Sequence, residues 1–245
     1  MPRLPPPDDG AAQAAGEART GAWPRTVRSF VARGGRMTRA QQRAWEQLWP
    51  ALGVDPATAP LDLDALFGRR APRIIEIGFG NGEALAMLAA SRPEADFLGI
   101  EVHRPGVGHL MLRCETLALS NLRILCRDAV EVFAEQLTPG CLDEVLLYFP
   151  DPWPKKRHHK RRIVQDAFVA LVASRLRPGG VFRLATDWQP YAEWMLETLG
   201  RCAALRNESP TGDWVARPAS RPPTRFELRG QRLGHTVWDL AFRRM

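Results

Sequence analysis

The sequence predicts an α/β fold built around a mostly parallel β-sheet. The first observation is that strand-like and helix-like segments alternate from Ala71 onward. The second is that glycines or acidic residues lie at the ends of the first three predicted strands. A strand, a helix and the next strand form a right-handed crossover unit, which makes successive strands parallel. Because ligands bind at the carboxyl ends of such strands, we expect the functional residues along one edge of the sheet.

Each predicted strand is a short apolar run bounded by turn-forming residues. The predicted strands are residues 73–77, 96–102, 122–126, 142–149, 181–185 and 237–242. The predicted helices are residues 82–91, 105–120, 129–136, 164–176 and 190–199. Pro105 occupies a favoured first helical position, and Arg177-Pro178-Gly179-Gly180 is expected to end the fourth helix. Residues 207–234, rich in Pro, Arg and Gly, are expected to form an irregular loop over one face.

The residues before this pattern predict two further segments. Residues 1–22 are rich in Pro, Ala and Gly and hold almost no large hydrophobe, so we expect a disordered tail. Residues 23–70 are expected to form a basic arm and then a helix that Thr38 caps, and residues 71–245 to form the α/β domain. The six arginines of residues 25–49 have two interpretations: solvated side chains on a surface helix, or an arm that grips phosphates.

The composition is that of a globular protein with a basic surface. Of the 245 residues, 45% are hydrophobic and 25% are charged, which is ordinary for a folded domain. The formal net charge of +7 favours an acidic partner, most commonly RNA or DNA. The four cysteines are scattered and form no C-x-x-C pair, so we expect neither a disulfide framework nor a zinc site.

The sequence shows no membrane or export signal. No apolar run approaches the roughly eighteen residues that a membrane-spanning helix needs. Residues 1–9 lack the apolar centre of a signal peptide. His158 and His159 have no nearby third ligand, so they are expected to act as hydrogen-bond donors or spacers and not to bind a metal. We therefore expect a cytoplasmic protein that uses no membrane and no metal, and no protein partner is evident.

The most informative stretch is Tyr148-Phe149-Pro150-Asp151-Pro152-Trp153-Pro154, followed by the basic tract, residues 155–162, with six Lys or Arg and two His. Prolines cannot donate ladder hydrogen bonds, so the preceding strand ends in an extended loop that carries the carboxylate of Asp151. A basic run alone is usually a solvated helix face. Beside a carboxylate at a strand end, it favours an enzyme acting on a nucleic-acid base. Trp153 is expected either to stack on a base or to belong to the core.

A second motif, Glu76-Ile77-Gly78-Phe79-Gly80-Asn81-Gly82, joins the first predicted strand to the first helix. Glycines permit a tight turn and close approach of a ligand, but this spacing is not the dinucleotide fingerprint. Glu101 and Asp128 end the next two strands, where acids accept hydrogen bonds from ribose or adenine. Three acids repel a pyrophosphate and suit a cationic ligand with an amine, a ribose and an adenine, such as S-adenosylmethionine. Asp128 also precedes a predicted helix, so it can alternatively be interpreted as a helix cap.

In these motifs the chain resembles the bacterial tRNA (guanine-N7)-methyltransferases. The matching stretches are residues 28–31, 76–82, 99–102, 149–162, 185–188, 224–227, 234–235 and 237–240. The resemblance extends from about residue 25 to the C-terminus. The proline-tryptophan loop with its basic tract is highly specific to this family, whereas the glycine turn is shared by methyltransferases in general. Arg225 stands where the family often has Lys, which conserves the charge.

The resemblance implies a class I S-adenosylmethionine-dependent methyltransferase fold over residues 71–245, Rossmann-like, with a mostly parallel seven-stranded sheet. It implies methylation of N7 of the guanosine at position 46, in the variable loop of tRNA. Asp151 is implied as the catalytic residue and as a cofactor contact. The other implied cofactor-binding residues are Glu76, Gly78, Gly80, Gly82, Glu101 and Asp128. The implied substrate-binding residues are Lys155, Asp187, Thr224, Arg225, Phe226 and Glu227.

Three other functions fit the sequence less well. An amino-group methyltransferase acting on adenine or cytosine has a second proline where this chain has Trp153, which counts against it. A non-catalytic RNA-binding module gains nothing from the acids Glu76, Glu101 and Asp128 in its cleft. A dehydrogenase is disfavoured by the glycine spacing.

Overall fold

The computed structural model describes residues 28–30, 35–57, 59–224, 227–228, 234 and 236–245. The predicted tail of residues 1–22, the arm residues 23–27 and 31–34, and the two implied substrate-binding residues Arg225 and Phe226 lie outside these ranges.

Seven strands form one sheet. They are β1 (Arg73–Ile77), β2 (Asp96–Ile100), β3 (Leu122–Leu125), β4 (Leu142–Tyr148), β5 (Leu176–Thr186), β6 (Leu205–Asn207) and β7 (Trp238–Arg244). Their order across the sheet is β3-β2-β1-β4-β5-β7-β6. Strands β1 to β5 run parallel to one another, whereas β7 is antiparallel to both β5 and β6. The predicted mostly parallel sheet is confirmed.

Seven helices accompany the sheet in the described part of the chain. They are α1 (Arg39–Leu52), α2 (Leu63–Phe67), α3 (Glu83–Ser91), α4 (Arg104–Thr116), α5 (Ala129–Glu131, continued by a π-helical turn over Val132–Gln136), α6 (Asp166–Arg175) and α7 (Gln189–Gly200). None of them is both long and apolar enough to cross a membrane. Within the basic tract, Lys156–Arg161 forms a short 3-10 helix.

Two hydrophobic cores lie on opposite faces of the sheet. Helices α1, α3 and α4 cover one face, where Ile74 and Phe97 are fully buried. Helices α5, α6 and α7 cover the other, where Phe133 and Phe168 pack with their ring centroids 5.8 Å apart. Because both faces are covered, the central strand β1 is buried along its whole length.

Helix α1 begins where the sequence predicts. The hydroxyl of Thr38 accepts a hydrogen bond from the Gln41 backbone at 3.2 Å, and the Gln41 side chain accepts one from the Thr38 backbone at 2.8 Å. This reciprocal pair satisfies two backbone donors at the helix start. Arg39 and Arg43 are exposed on the helix surface, and Arg43 pairs with Glu115 at 3.4 Å.

Three elements differ from the sequence prediction. Helix α2 and the three-residue strand β6 were not predicted, and residues 177–180 lie inside β5 instead of ending α6 in a loop. A Cβ atom at Gly180 would lie 3.0 Å from the carbonyl oxygens of Arg177 and Asp143. Gly180 is therefore explained by the close approach of two backbones at an irregular point of the β4–β5 pairing, and not by a chain reversal.

Candidate active site

A cleft opens at the carboxyl edge of the sheet. Its lining comes from the ends of β1 to β4 and from the short segment before α1. The lining residues are Ser29, Phe30, Ile77, Gly78, Ile100, Glu101, Val102, Arg127, Asp128, Ala129, Leu147, Tyr148, Phe149, Pro150, Asp151 and Ile163. The strand ends that the sequence singles out are thus brought together. Ser29 and Phe30 belong to a motif of the family resemblance, but the sequence did not indicate their place at the cleft.

The glycine turn after β1 leaves open space beside the cleft. Gly78 and Gly80 have φ angles of 72° and 61°, which side-chain-bearing residues rarely adopt. A Cβ atom at either position would meet nothing within 4 Å. Gly82 is different, because a Cβ atom there would lie 2.6 Å from Leu110 on α4. The turn therefore offers bare backbone to a ligand at Gly78 and Gly80, while Gly82 permits packing of α4.

Glu101, at the end of β2, fixes this turn. One carboxylate oxygen accepts a hydrogen bond from the Gly80 backbone at 2.9 Å. The other accepts from the backbones of Val102 at 2.7 Å and His103 at 2.9 Å. A carboxylate has roughly four acceptor positions. Three protein donors therefore leave it capacity for about one more donor from a ligand.

Glu76, the other acid of this edge, lies inside β1 and is only 5% exposed. Burial and, to a smaller extent, the nearby charge of Glu101 together raise the pKa of Glu76 to about 8. A cation in the cleft would reverse that effect, because an opposite charge favours the ionised form. The pair is therefore suited to a positively charged ligand.

Asp128 has the helix-capping role that the sequence left open. Its side chain accepts a hydrogen bond from the Val130 backbone at 3.0 Å and caps α5. The residue also lines the cleft, so the cap and the implied adenine contact are compatible. The bare turn at Gly78 and Gly80, with Glu101 and Asp128 in the lining and the buried acid Glu76 in the adjoining strand, fits S-adenosylmethionine. Among the described residues, no group of three or more His, Cys, Asp or Glu side chains is arranged to hold a metal ion.

Asp151 lies exposed at the cleft, in a loop with unusual backbone angles. Phe149 and Trp153 have φ angles of 51° and 45°. The Phe149 backbone still donates to the Ala185 carbonyl of β5 at 2.8 Å, which prolongs the strand pairing by one residue. Beyond that point, prolines remove the backbone donors.

Arg162 supplies a hydrogen bond to this loop, in which the prolines lack backbone donors. This residue of the basic tract is only 3% exposed, and its guanidinium donates to the Pro152 carbonyl at 2.9 Å. The same group lies 4.8 Å from the ring centroid of Tyr191 and 5.2 Å from that of Trp194, both on α7. Arg162 therefore fastens the Asp151 loop to α7.

The structure divides the basic tract into two parts. Arg161 covers the ring of Trp153 at 4.0 Å and donates to the backbone carbonyls of Arg28 and Phe30. The Trp153 indole also donates to the Ser29 carbonyl at 3.1 Å. These internal contacts hold the segment before α1 against the loop. The exposed members of the tract are Lys155, Lys156, Arg157 and Lys160.

Glu227, implied as a substrate-binding residue, is 1% exposed and lies in a buried ion network. Its two carboxylate oxygens accept from the Arg221 guanidinium at 2.8 and 2.9 Å, and Arg221 also pairs with Asp239 of β7 at 2.9 Å. The Arg221 guanidinium lies 5.5 Å from the ring centroid of Tyr148 and 5.7 Å from that of Phe149. The sequence did not indicate this arginine.

The remaining implied substrate-binding residues follow two of these elements. Asp187 is half-buried just beyond β5, the neighbour of the strand that leads to Asp151. Thr224 accepts a hydrogen bond from the Glu227 backbone at 3.0 Å. Lys155 is exposed at the start of the tract. The structure thus gathers these residues at the edge that holds the cleft, and their contact with a substrate stays a prediction.

Comparison with known sequences identifies close relatives. The family model described as "Putative methyltransferase" matches residues 70–240. A protein of Yersinia pseudotuberculosis (strain IP 31758), named tRNA (guanine-N(7)-)-methyltransferase, is 57% identical over 90% of this chain and 92% of its own length. A protein of the same name from Serratia proteamaculans (strain 568) is 56% identical over the same shares.

Comparison with solved structures concerns the fold alone. The 16S rRNA methyltransferase KamB matches with a TM-score of 0.57 at 14% identity, over 80% of this chain and 99% of its own. The antibiotic-resistance methyltransferase Kmr matches with a TM-score of 0.54 at 14% identity, over 78% and 94%. Together with the strand order, these likenesses confirm the class I methyltransferase fold.

The raised pKa of Glu76 has a measurable consequence for stability. The folded protein keeps this proton up to a pH near 8, whereas the unfolded chain loses it near pH 4.5. The folded state therefore holds more protons in this window, and the free energy of unfolding falls as pH rises, by up to about 1.4 kcal/mol per pH unit. Glu76→Gln should remove this slope in urea unfolding measured from pH 5 to 9 without ligand. The exposed Glu94→Gln should keep it, and parallel curves for Glu76→Gln and wild type would contradict the assignment.

Arg162 should contribute more to stability than its exposed neighbour in the tract. Arg162→Met keeps the apolar stem of the side chain but removes its charged hydrogen bond, so we expect the free energy of unfolding to fall by about 1.5–3 kcal/mol. Lys160→Met, two residues away on the surface, should change it by less than about 0.5 kcal/mol. Urea unfolding of both variants makes the comparison. Equal effects would show that Arg162 does not hold the loop.

Proposed function

The chain belongs to the tRNA (guanine-N7)-methyltransferase family, and on this premise we propose that it transfers a methyl group from S-adenosylmethionine to N7 of guanosine 46 in the variable loop of tRNA. One observation carries the proposal. The exposed carboxylate of Asp151 lies at a cleft whose other strand ends offer bare glycine backbone and two further acids, Glu101 and Asp128. This combination suits a cationic methyl donor on one side and a purine on the other.

The chemistry requires positioning more than proton transfer. S-adenosylmethionine, when bound, supplies a methyl group on a positively charged sulfur. Guanine N7 carries a lone pair and no proton, so this chain has no proton to remove at that atom. The purine gains positive charge during transfer, and a fixed carboxylate at Asp151 stabilises that charge. Alignment of the two reactants contributes several kcal/mol more, on the order of 7–11 in favourable cases.

Asp187 is the residue that we assign to the guanine edge. Its carboxylate suits the donors at N1 and N2 of guanine, which lie across the ring system from N7. Strands β4 and β5 are paired up to Tyr148 and Ala185, so Asp151 and Asp187 follow adjacent strand ends. Thr224 and Glu227, joined by hydrogen bonds, form the next part of the same edge.

The exposed part of the basic tract is assigned to the tRNA backbone. Lys155, Lys156, Arg157 and Lys160 project from the 3-10 helix and the residue before it, directly after the Asp151 loop. RNA is recognised through its phosphates, its shape and unpaired bases, so cations beside a catalytic loop suit it. Because the proposed substrate is a cytoplasmic RNA, we expect the protein to act in the cytoplasm.

Two rival functions are less well supported. A non-catalytic RNA-binding module has no use for a bare glycine turn next to the acids Glu101 and Asp128. An amino-group methyltransferase is disfavoured because this chain has Trp153 in place of a second proline and because its relatives carry a guanine-N7 name.

Asp151→Asn should lower the rate of methyl transfer by roughly 10²–10³-fold, because it removes a fixed charge from the transition state. The measurement is single-turnover transfer from labelled S-adenosylmethionine to a tRNA transcript. Asp166→Asn, an exposed acid on α6, should be unaffected. A transcript with 7-deazaguanosine at position 46 should accept no methyl group from the wild type. Near-normal rates for Asp151→Asn, or methylation of the deaza transcript, would contradict the proposal.

Replacing Lys156 and Arg157 together by Ala should weaken tRNA binding and flatten its dependence on salt, because a complex with fewer phosphate contacts releases fewer counterions when it forms. The matched control is the double replacement of Arg70 and Arg177, two exposed arginines that precede β1 and begin β5 at the opposite edge. Binding is measured by filter retention between 50 and 300 mM KCl. The same salt slope for both double variants would remove the tract from the RNA interface.

A further inference from the structure

We propose that Trp188 stacks on an unpaired nucleobase of the substrate at the mouth of the active site. This inference rests on the proposed function and adds a binding contact to it. The observation behind it is exposure: Trp188 is 41% exposed, although its side chain is among the largest and most apolar in proteins. The other large exposed apolar residues of the described chain, such as Met87 and Leu228, are aliphatic.

The position of Trp188 ties it to the site. It follows Asp187 directly and lies between the end of β5 and the start of α7. β5 is the strand beside β4, whose loop carries Asp151. An exposed indole at this point stands next to the residue assigned to the guanine, and not on a remote surface.

The backbone of Trp188 is held firmly, as a stacking surface requires. Its N–H donates to the Thr186 hydroxyl at 3.3 Å. Its carbonyl accepts from the backbones of Tyr191 at 2.9 Å and Ala192 at 3.0 Å, which starts α7. The exposed ring is therefore carried on an ordered backbone at the start of α7, so binding of a base does not require this segment to become ordered.

The basic tract packs against the same helix. Arg162 lies over Tyr191, one turn after Trp188, and over Trp194. The exposed cations that precede Arg162 in the tract thus lie on an element fastened to α7. A cationic surface joined to an exposed aromatic side chain is the combination with which proteins bind unpaired nucleic acid. That charge favours a nucleobase over an apolar protein partner as the occupant.

The alternative aromatic residue is less available. Trp153 was expected from the sequence to stack on a base or to join the core. In the structure, the Arg161 guanidinium covers its ring at 4.0 Å, and the indole N–H is used by the Ser29 carbonyl. The stacking role is therefore better placed at Trp188.

The test compares four variants in tRNA binding and in methyl transfer. Trp188→Ala should weaken tRNA binding by roughly 5- to 150-fold, the range that corresponds to losing one base-aromatic stack. KM for tRNA should rise accordingly, while kcat at saturating tRNA changes by less than about threefold. Trp188→Phe should restore most of the affinity because it keeps an aromatic face, whereas Trp188→Leu, with comparable apolar bulk, should not. Met87→Ala, which removes an exposed side chain from α3, should behave as wild type.

Two results would overturn the proposal: Trp188→Leu binding as tightly as Trp188→Phe, or Trp188→Ala binding as tightly as Met87→Ala. Either result leaves the proposed function intact if the wild type still methylates tRNA. Failure of the wild type to methylate tRNA would instead contradict the proposed function.

Transcripts with an abasic site at either nucleotide flanking the methylated guanosine identify the stacked base. If Trp188 stacks on a flanking base, the loss from that abasic site and the loss from Trp188→Ala should not add. If it stacks on the guanine itself, the two losses should add.

Discussion

The Asp151 loop depends on buried arginine side chains, because prolines at positions 150, 152 and 154 deprive it of ladder hydrogen bonds. Arg162 donates to the loop from one side and lies on the aromatic rings of α7. Arg221 lies against Tyr148 and Phe149 at the entry to the loop and pairs with Glu227 and Asp239. Burying a guanidinium is favourable only with such partners. The two arginines therefore connect the proposed catalytic carboxylate to α7, to β7 and to the proposed substrate-binding residues.

The charges of the molecule are separated in a way that suits two different ligands. Glu101 and Asp128 line the cleft beyond β2 and β3 and favour a cation there, and such a cation would favour the ionised form of the buried Glu76 of β1. Exposed Lys and Arg follow the end of β4, where they favour a polyanion outside it. Asp151 lies at the boundary between the two regions. A cationic methyl donor and an anionic RNA can therefore approach the same carboxylate from different sides.

The sequence predicts the parts of this arrangement that are local. Strand β1 is predicted with its observed bounds because a run of apolar, β-branched residues ends at a glycine turn. Thr38 forms the predicted cap of α1. Strand β6 has only three residues and exists through its pairing with β7, so no local pattern reveals it. Arg162 looks like its solvent-exposed neighbours in the sequence, and only the packing of α7 against the tract buries it. Arg221 likewise becomes recognisable only when β4, β7 and the segment from 221 to 227 meet.

The proposed reaction is tested most directly by mapping the atom and nucleotide of tRNA that receive the methyl group. The wild-type protein is incubated with labelled S-adenosylmethionine and tRNA that lacks N7-methylguanosine, and the product is mapped by chain cleavage at N7-methylguanosine. We expect a single cleavage signal, in the variable loop at position 46. Label on adenine or cytosine, or N7-methylguanosine at scattered sites, would contradict it.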